Sequence, residues 1–317
     1  MKIGGRQIHG SVILAPMAEY TNLPFRLLAK RYGAALVFTE MVPARDLVRG
    51  ERSARRLLRT EPQERPVTAQ FCGRDAQELG EAARIAADIG FDFVDLNLSC
   101  PIERILKQGA GGALMAEPDH VGRLVETLVK ATPLPVTVKI RSGVDADHVN
   151  AVEVSRVCEA AGAAAVALHP RTVAKSFEGA ADWSLLAAVK QAVQIPVLGS
   201  GGVRTPLHVK KMLEVTGCDA VMVARGCIGA PWFFRQANHL LATGALLPAP
   251  GYDEIKRLLL EHYKLLKEHS GDRTGVSLLR RHLPHYARAL GREQDFGKAV
   301  RNVRSARDFD RAVREWL

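Results

Sequence analysis

The chain has 317 residues, 47% apolar but only 6% aromatic, with 44 Lys and Arg against 34 Asp and Glu for a formal charge of +10. That length exceeds one small domain and fits a βα barrel of about 250 residues with an added module, and the aliphatic composition suits a parallel sheet covered by helices. No uncharged apolar stretch of about 18 residues occurs, MKIGGRQIHG lacks a signal peptide's apolar run, and Cys72, Cys100, Cys158, Cys218 and Cys227 form no CxxC pair, which disfavours membrane insertion, export, a disulfide framework and structural metal.

A cytoplasmic monomer is therefore expected, and the basic balance, with a pI near 9.6, favours a polyanionic partner such as nucleic acid. In chain order, eight short runs rich in Val, Ile and Ala recur: VILAPM, ALVFTE, PVTAQF, FVDLNLS, PVTVKI, AAVALH, PVLGSGG and DAVMVA. Helix-patterned segments such as AQELGEAARIAADIG, DHVGRLVETLVKA and PLHVKKMLEVTG lie between them, several closing on Gly where a helix stops. Alternation from residue 11 to about 240 predicts a TIM (β/α)8 barrel over residues 1–243. A doubly wound open sheet is the competitor, but no GxGxxG follows the first strand. After a loop containing LLPAPG, charged segments such as DEIKRLLLEHYKLLKEH and DFGKAVRNVRSARDF predict a smaller helical domain over residues 244–317. Residues 251–317 hold 15 Lys and Arg against 10 Asp and Glu, and SLLRRHLPHYARAL groups Arg280, Arg281, His282, His285, Tyr286 and Arg288. That cluster suits phosphate contacts and a base or sugar stack, although a plain solvated helix face reads similarly.

Chemistry in a βα barrel gathers at the C-terminal strand ends. Here those ends read Ala15-Pro16-Met17, Thr39-Glu40-Met41, Gln70, Asn97-Leu98-Ser99-Cys100-Pro101, Lys139-Ile140-Arg141, His169, Gly199-Ser200-Gly201-Gly202 and Ala224-Arg225-Gly226. The glycines of the seventh end, a helix start at Thr205-Pro206 and the Arg225 guanidinium predict a phosphate site. Gln70, Lys139 and His169 would ring a flat cofactor, with the backbone of Pro16, Met17 and Ala18 beneath it. A reduced flavin, anionic at its pyrimidine ring, would give Lys139 the negative partner a buried cation needs; a structural ion pair with Glu40 or Asp95 is the alternative. Cys100 precedes a Gly-rich stretch, QGAGGALM, that suggests a lid. A thiol mostly protonated at neutral pH can act as a general acid, and no neighbouring His or Asp suggests an activated nucleophile.

Taken together, APMAEYTNLPFR, FTEM, QFCG, DLNLSCP, GAGGALM, VTVKIRSG, ALHPRT, PVLGSGGV, TGCDAVMVARG, GAPWFF and RRHLPHY resemble the tRNA-dihydrouridine synthases over essentially the whole chain. The resemblance implies an FMN-containing barrel and a helical tRNA-binding domain, with NADPH (or NADH) as reductant, hydride passing from flavin N5 to uracil C6, and a cysteine protonating C5. It implies Cys100 as the acid and Asn97 and Arg141 holding the uracil; Glu40 and, from the basic cluster of the tail, Arg280, Arg281 and His282 are further expected substrate contacts. FMN would be held by Pro16, Met17, Ala18, Gln70, Lys139, His169, Ser200, Gly201, Gly202, Ala224 and Arg225. The chain departs from the family pattern at Ser99, where Gly is usual, and at Ser200, where Asn is usual. NLSCP also resembles dihydroorotate dehydrogenases, which act on a free pyrimidine, but those usually carry Asn where this chain has Ile102, and they lack such a basic tail. A third reading, an RNA-binding barrel without catalysis, would have lost the reactive thiol or the flavin ligands, and both are present.

Overall fold

The computed structural model describes residues 1–317. Eight parallel strands form a barrel in chain order: β1 (Val12–Leu14), β2 (Val37–Phe38), β3 (Val67–Cys72), β4 (Phe93–Leu98), β5 (Val136–Arg141), β6 (Ala165–His169), β7 (Val197–Ser200) and β8 (Ala220–Val223). Ladders run from β2 through β8 and on to β1. Bonds from Ala35 N–H to Val12 O (2.8 Å) and Leu14 N–H to Leu36 O (3.0 Å) close the ring, so the sheet has no free edge to pair with another chain.

Helices follow the strands: α1 (Leu23–Arg31), α2 (Ala44–Val48), α3 (Ala76–Ile89), α4 (Pro118–Ala131), α5 (Ala151–Ala160), α6 (Ser184–Ala192), α7 (Pro206–Thr216) and α8 (Phe233–Thr243). Local chemistry sets their ends. The Asp75 side chain accepts from Glu78 N–H and Gly90 ends α3 at φ +94, while Thr205 and Pro206 open α7 and Gly217 closes it in the left-handed region. A core of 52 buried residues lies between strands and helices. A second of 13, including Ile13, Phe38, Phe93, Leu198 and Met222, fills the barrel with help from the terminal hairpin around Ile3 and Ile8. The barrel floor is thus packed, and only its upper rim is free for a ligand.

Beyond Gly244, which caps α8, four helices pack on the barrel: α9 (Tyr252–Ser270), α10 (Asp272–Ala289), α11 (Phe296–Val300) and α12 (Ala306–Trp316). Sequence periodicity suggested one helix through DFGKAVRNVRSARDF; the chain instead breaks after Val300 and restarts at a Ser305/Asp308 capping box, where each side chain satisfies the other's backbone donor. The core of these helices includes Leu28 of α1 and Trp232, so the barrel wall supplies part of it. No helix is long and apolar enough to cross a membrane.

His262 and His282 lie fully buried at this junction, their ring centroids 4.6 Å apart, with three of their four ring nitrogens lacking any partner. Burial holds both imidazoles neutral, drawing His262 down to about 3 and His282 well below its ordinary value. The folded-state pKa lies below the unfolded one, so the stability they contribute is present above pH 6.5 and is lost as pH falls toward the folded value. Between pH 7 and pH 5 the loss expected from His262 is about 2 kcal/mol, and His282 adds a loss of the same sign. Urea unfolding at both pH values checks this: the wild-type midpoint should fall further than that of His282→Phe, and equal shifts would contradict it.

Candidate active site

The two-residue strand period and the register of the ladders aim one row of polar side chains inward. Gln70 pairs in register with Asp95, Asn97 with Lys139, and Arg141 with His169. Their upper ends form the floor of a cavity of about 420 Å³ at the C-terminal rim. Pro16, Met17, Ala18, Gln70, Asn97, Cys100, Lys139, Arg141, His169, Ser200, Gly201, Gly202, Ala224 and Arg225 all line it. The structure therefore brings fourteen of the eighteen residues singled out above into one place.

A hydrogen-bonded relay ties the floor to the cysteine. Buried Asp95 accepts from Gln70 Nε2 (2.8 Å) and Thr137 Oγ1 (2.6 Å), and Gln70 Oε1 accepts from Asn97 Nδ2 (2.9 Å). Asn97 Oδ1 then accepts the N–H groups of Ser99 (3.0 Å) and Cys100 (2.9 Å). An acceptor-only carboxylate at one end and two backbone donors at the other leave one consistent orientation for both amides. Asn97 is accordingly a brace of the Cys100 loop as well as a cavity residue. Arg141 braces the same loop, its Nε donating to Ser99 O at 2.7 Å and its Nη1 to Thr172 O at 3.0 Å.

The expectation of a lid after Cys100 does not hold. Gly111–Ala116 forms a short 3-10 helix whose Gly111, Gly112, Leu114 and Met115 are buried, and Gly112 N–H bonds Cys100 O. A Cβ on Gly112 would meet Val173 at 2.6 Å and Cys100 O at 3.0 Å. These glycines serve close packing rather than motion. Burial pushes the Cys100 thiol above its ordinary value, with the charges of Arg141 and Lys139 offsetting part of the rise. Cys100 thus carries its proton at neutral pH, as a general acid must.

Lys139 has neither of the suggested ion-pair partners: its Nζ makes one long hydrogen bond, to Ser99 Oγ at 3.4 Å, and takes part in no salt bridge. Burial and the nearby Arg141 pull it down to about 8, although Asp95 opposes this. His169 Nε2 accepts from Arg171 Nη1 at 2.9 Å, and burial among Lys139, Arg141, Arg171 and Arg225 draws the ring down to about 2. The imidazole is therefore neutral, with its proton on Nδ1. Five cations line the cavity (Lys139, Arg141, Arg171, Arg204 and Arg225) against one carboxylate, Glu19. An anionic ligand is what such a lining lacks. Gly201 and Gly202, at φ +89 and +79, bare their backbone beside Arg225, and Trp183 Nε1 fixes the turn by donating to Gly201 O at 3.0 Å.

Four expected substrate residues lie elsewhere than in this cavity, and one of them is a correction. Glu40 and Arg281 line a neighbouring cleft of about 290 Å³ between the barrel and α10, with Arg26, Arg56, Arg59 and His269; burial raises the Glu40 carboxyl above its ordinary value. Arg280 is half-buried on α10 and lines neither space. His282, expected to touch RNA, is 0% exposed and packs against Phe25, Tyr20 and His262; its neighbour Tyr286 is buried too. Helical period turns both into the junction, and a cluster of basic and aromatic letters does not reveal which face they occupy. Sequence reading passed over Arg171, Arg204, Glu19 and Phe177. Arg171 follows His169 at a strand end and carried a usable signal, whereas Phe177, 52% exposed with Arg141 and Arg225 each within 5.4 Å of its ring, sits in a loop that gave none.

Known proteins share the fold or the sequence of this chain. Solved structures similar in fold include mandelate oxidase with (S)-2-phenylpropionate (TM-score 0.52, 22% identity, 76% of this chain and 74% of that one). A second is 2-naphthoyl-CoA reductase in complex with 2-naphthoyl-CoA (TM-score 0.58, 14% identity, 77% and 51%). tRNA-dihydrouridine synthase B of Xanthomonas campestris pv. campestris is 39% identical over 95% of this chain and 90% of its own length. The protein of that name from Pectobacterium carotovorum is 36% identical over 100% and 99%. The profile of the Dihydrouridine synthase (Dus) family matches residues 13–315, and with it the chain belongs to the dihydrouridine synthase family.

Proposed function

We propose that this enzyme reduces the C5=C6 bond of uridines in tRNA, with FMN in the rim cavity and NADPH as reductant. The observation that supports the reading best is the cavity itself: a protonated Cys100 on a braced loop stands over a floor of buried cations that lack a counter-ion. The residues fit FMN. Lys139 would meet the electron-rich pyrimidine edge, Gln70 has one amide hydrogen and one lone pair left for it, and neutral His169 offers a hydrogen bond without another charge. Gly201, Gly202 and Arg225 would take the phosphate, with Ser200 and Ala224 beside them and Pro16, Met17 and Ala18 forming a wall. Bound and reduced there, FMN supplies a hydride to C6 of the pyrimidine.

The chain's own residues supply the rest. Addition at C6 builds negative charge toward O4, which the Arg141 guanidinium and Asn97 can stabilise from fixed positions. Cys100 then delivers its proton to C5. A uridine must leave its stack to reach this floor, so residues 244–317 act as the grip on the RNA, and Arg280 and Arg281 contact its phosphates. Arg280→Ala with Arg281→Ala is expected to weaken tRNA binding, flatten its salt dependence and leave the flavin spectrum unchanged. Filter binding from low to high salt checks this; an unaltered slope would remove the phosphate role. Incubating the enzyme with NADPH and unmodified tRNA should yield dihydrouridine by mass spectrometry of the nucleosides, and reduction of free orotate instead would favour the dehydrogenase-like alternative.

A further inference from the structure

Glu19 is one of only two non-glycine residues with positive φ, at +69. An L side chain in that region costs roughly 1–2 kcal/mol and persists only where its surroundings hold it. Three contacts do so. Glu19 N–H donates to the Glu40 carboxylate, Arg281 grips the Glu19 carboxylate through both terminal nitrogens at 2.5 Å, and the next residue, Tyr20, sets its ring edge-on to His282 and His285. Glu19 also lies on the boundary between the two spaces, lining both the rim cavity and the cleft beside α10. It is the sole carboxylate in a cavity wall with five cations.

The Glu19 carboxylate thus occupies the planar fork of Arg281 much as a phosphodiester would, two oxygens to two nitrogens. Both partners are about half exposed, at 45% and 54%, so an incoming anion can reach the pair. We propose that Glu19 is a specificity residue that mimics phosphate: it masks Arg281 in the free protein, and a polynucleotide phosphate must displace it to bind. This rests on the RNA-binding reading above and adds to it. A masked arginine must first give up its ion pair before it can neutralise a phosphate and release the cations condensed on the RNA, so loose contact with any polyanion gains little from it. Only a chain seated deeply enough to bring its phosphate into the fork, at the lip of the catalytic cavity, recovers the contact. Selection for a well-seated RNA follows from one carboxylate.

The experiment is tRNA binding across a salt series for the flavin-loaded wild type, Glu19→Gln, Glu19→Gly and Glu19→Gln with Arg281→Ala. The glycine variant accepts φ +69 without strain, so it separates loss of the carboxylate from any backbone effect. Both single variants are expected to bind tRNA up to about fivefold more tightly at low salt, as an exposed ion pair allows. The slope of log affinity against log salt should steepen by up to about one, because the phosphate is then neutralised without freeing a carboxylate that takes up a cation in its place. Adding Arg281→Ala should return the slope to the wild-type value. Weaker binding by both variants, or an unchanged slope, would overturn the proposal. If the wild type makes dihydrouridine while the slopes fail to move, only the masking role falls. If it binds tRNA with the expected slopes but makes no dihydrouridine, the masking role stands and the catalytic reading falls.

Discussion

Replacing Cys100 by alanine is expected to lower dihydrouridine formation by about 10²- to 10⁴-fold, the range a positioned general acid supplies, while flavin content and tRNA affinity stay at wild-type levels. The thiol has no hydrogen bond to the side chains assigned to the cofactor, and its loop is held through backbone groups: Asn97 accepts the Cys100 N–H and Arg141 donates to Ser99 O. Alanine keeps those backbone bonds and removes only the proton donor. Single-turnover reoxidation of the reduced enzyme by tRNA isolates the step, and reduction by NADPH should be unaffected. Because burial raises the Cys100 pKa, the wild-type rate should hold through neutral pH and fall only on the alkaline side, as the thiol loses its proton; the variant should lack that alkaline limb. Wild-type turnover by the variant under saturating tRNA would rule the acid role out.

Gly201→Ala is expected to strip the protein of flavin. The backbone there has φ +89, and a Cβ would stand 2.5 Å from His169 Cδ2 and 2.9 Å from its Nε2. The ring cannot easily yield, since Arg171 holds it at 2.9 Å and Arg171 is itself tied to Gly179 O. Either the turn moves off the proposed phosphate position or His169 leaves the floor, and both injure the same ligand site. Together with a left-handed penalty of roughly 1–2 kcal/mol, this should weaken FMN binding by at least about tenfold. Flavin absorbance per protein and equilibrium dialysis of added FMN give the measurement; full occupancy in the variant would show that the turn does not cradle the phosphate. A weaker form of the same effect is expected at Gly202, where a Cβ would meet nothing closer than Trp183 at 3.5 Å.

Much of this arrangement was legible in the sequence because barrel chemistry is written at strand ends. Apolar runs that finish in Gln70, Asn97, Lys139 and His169 place polar groups where only a ligand or a network can satisfy them, and the ladder register gathers them on one rim. Spacing could not convey how those groups satisfy one another. Asn97 reads as a substrate contact, yet its amide oxygen is spent on two backbone donors, and Asp95, which reads as an ion-pair partner for Lys139, instead anchors the relay by accepting from Gln70 and Thr137. The Gly-rich segment after Cys100 looked mobile because glycine frees a chain and also permits close packing; here Val173 and Cys100 O crowd it. In the C-terminal helices, composition announced basic charge correctly but not its facing: Arg281 reaches the cleft while His282, one residue on, turns into the junction with α1. The Glu19–Arg281 contact spans 262 positions, a separation across which no local pattern speaks.

The most direct test is an anaerobic absorbance record of the purified enzyme, with NADPH added first and unmodified tRNA second. Flavin bands that bleach with NADPH, persist in the bleached state, and return only on addition of tRNA, with dihydrouridine formed in equal amount, are the result expected. Reoxidation by a free pyrimidine with no response to tRNA, or no flavin bands even after FMN is supplied to the apoprotein, would contradict it.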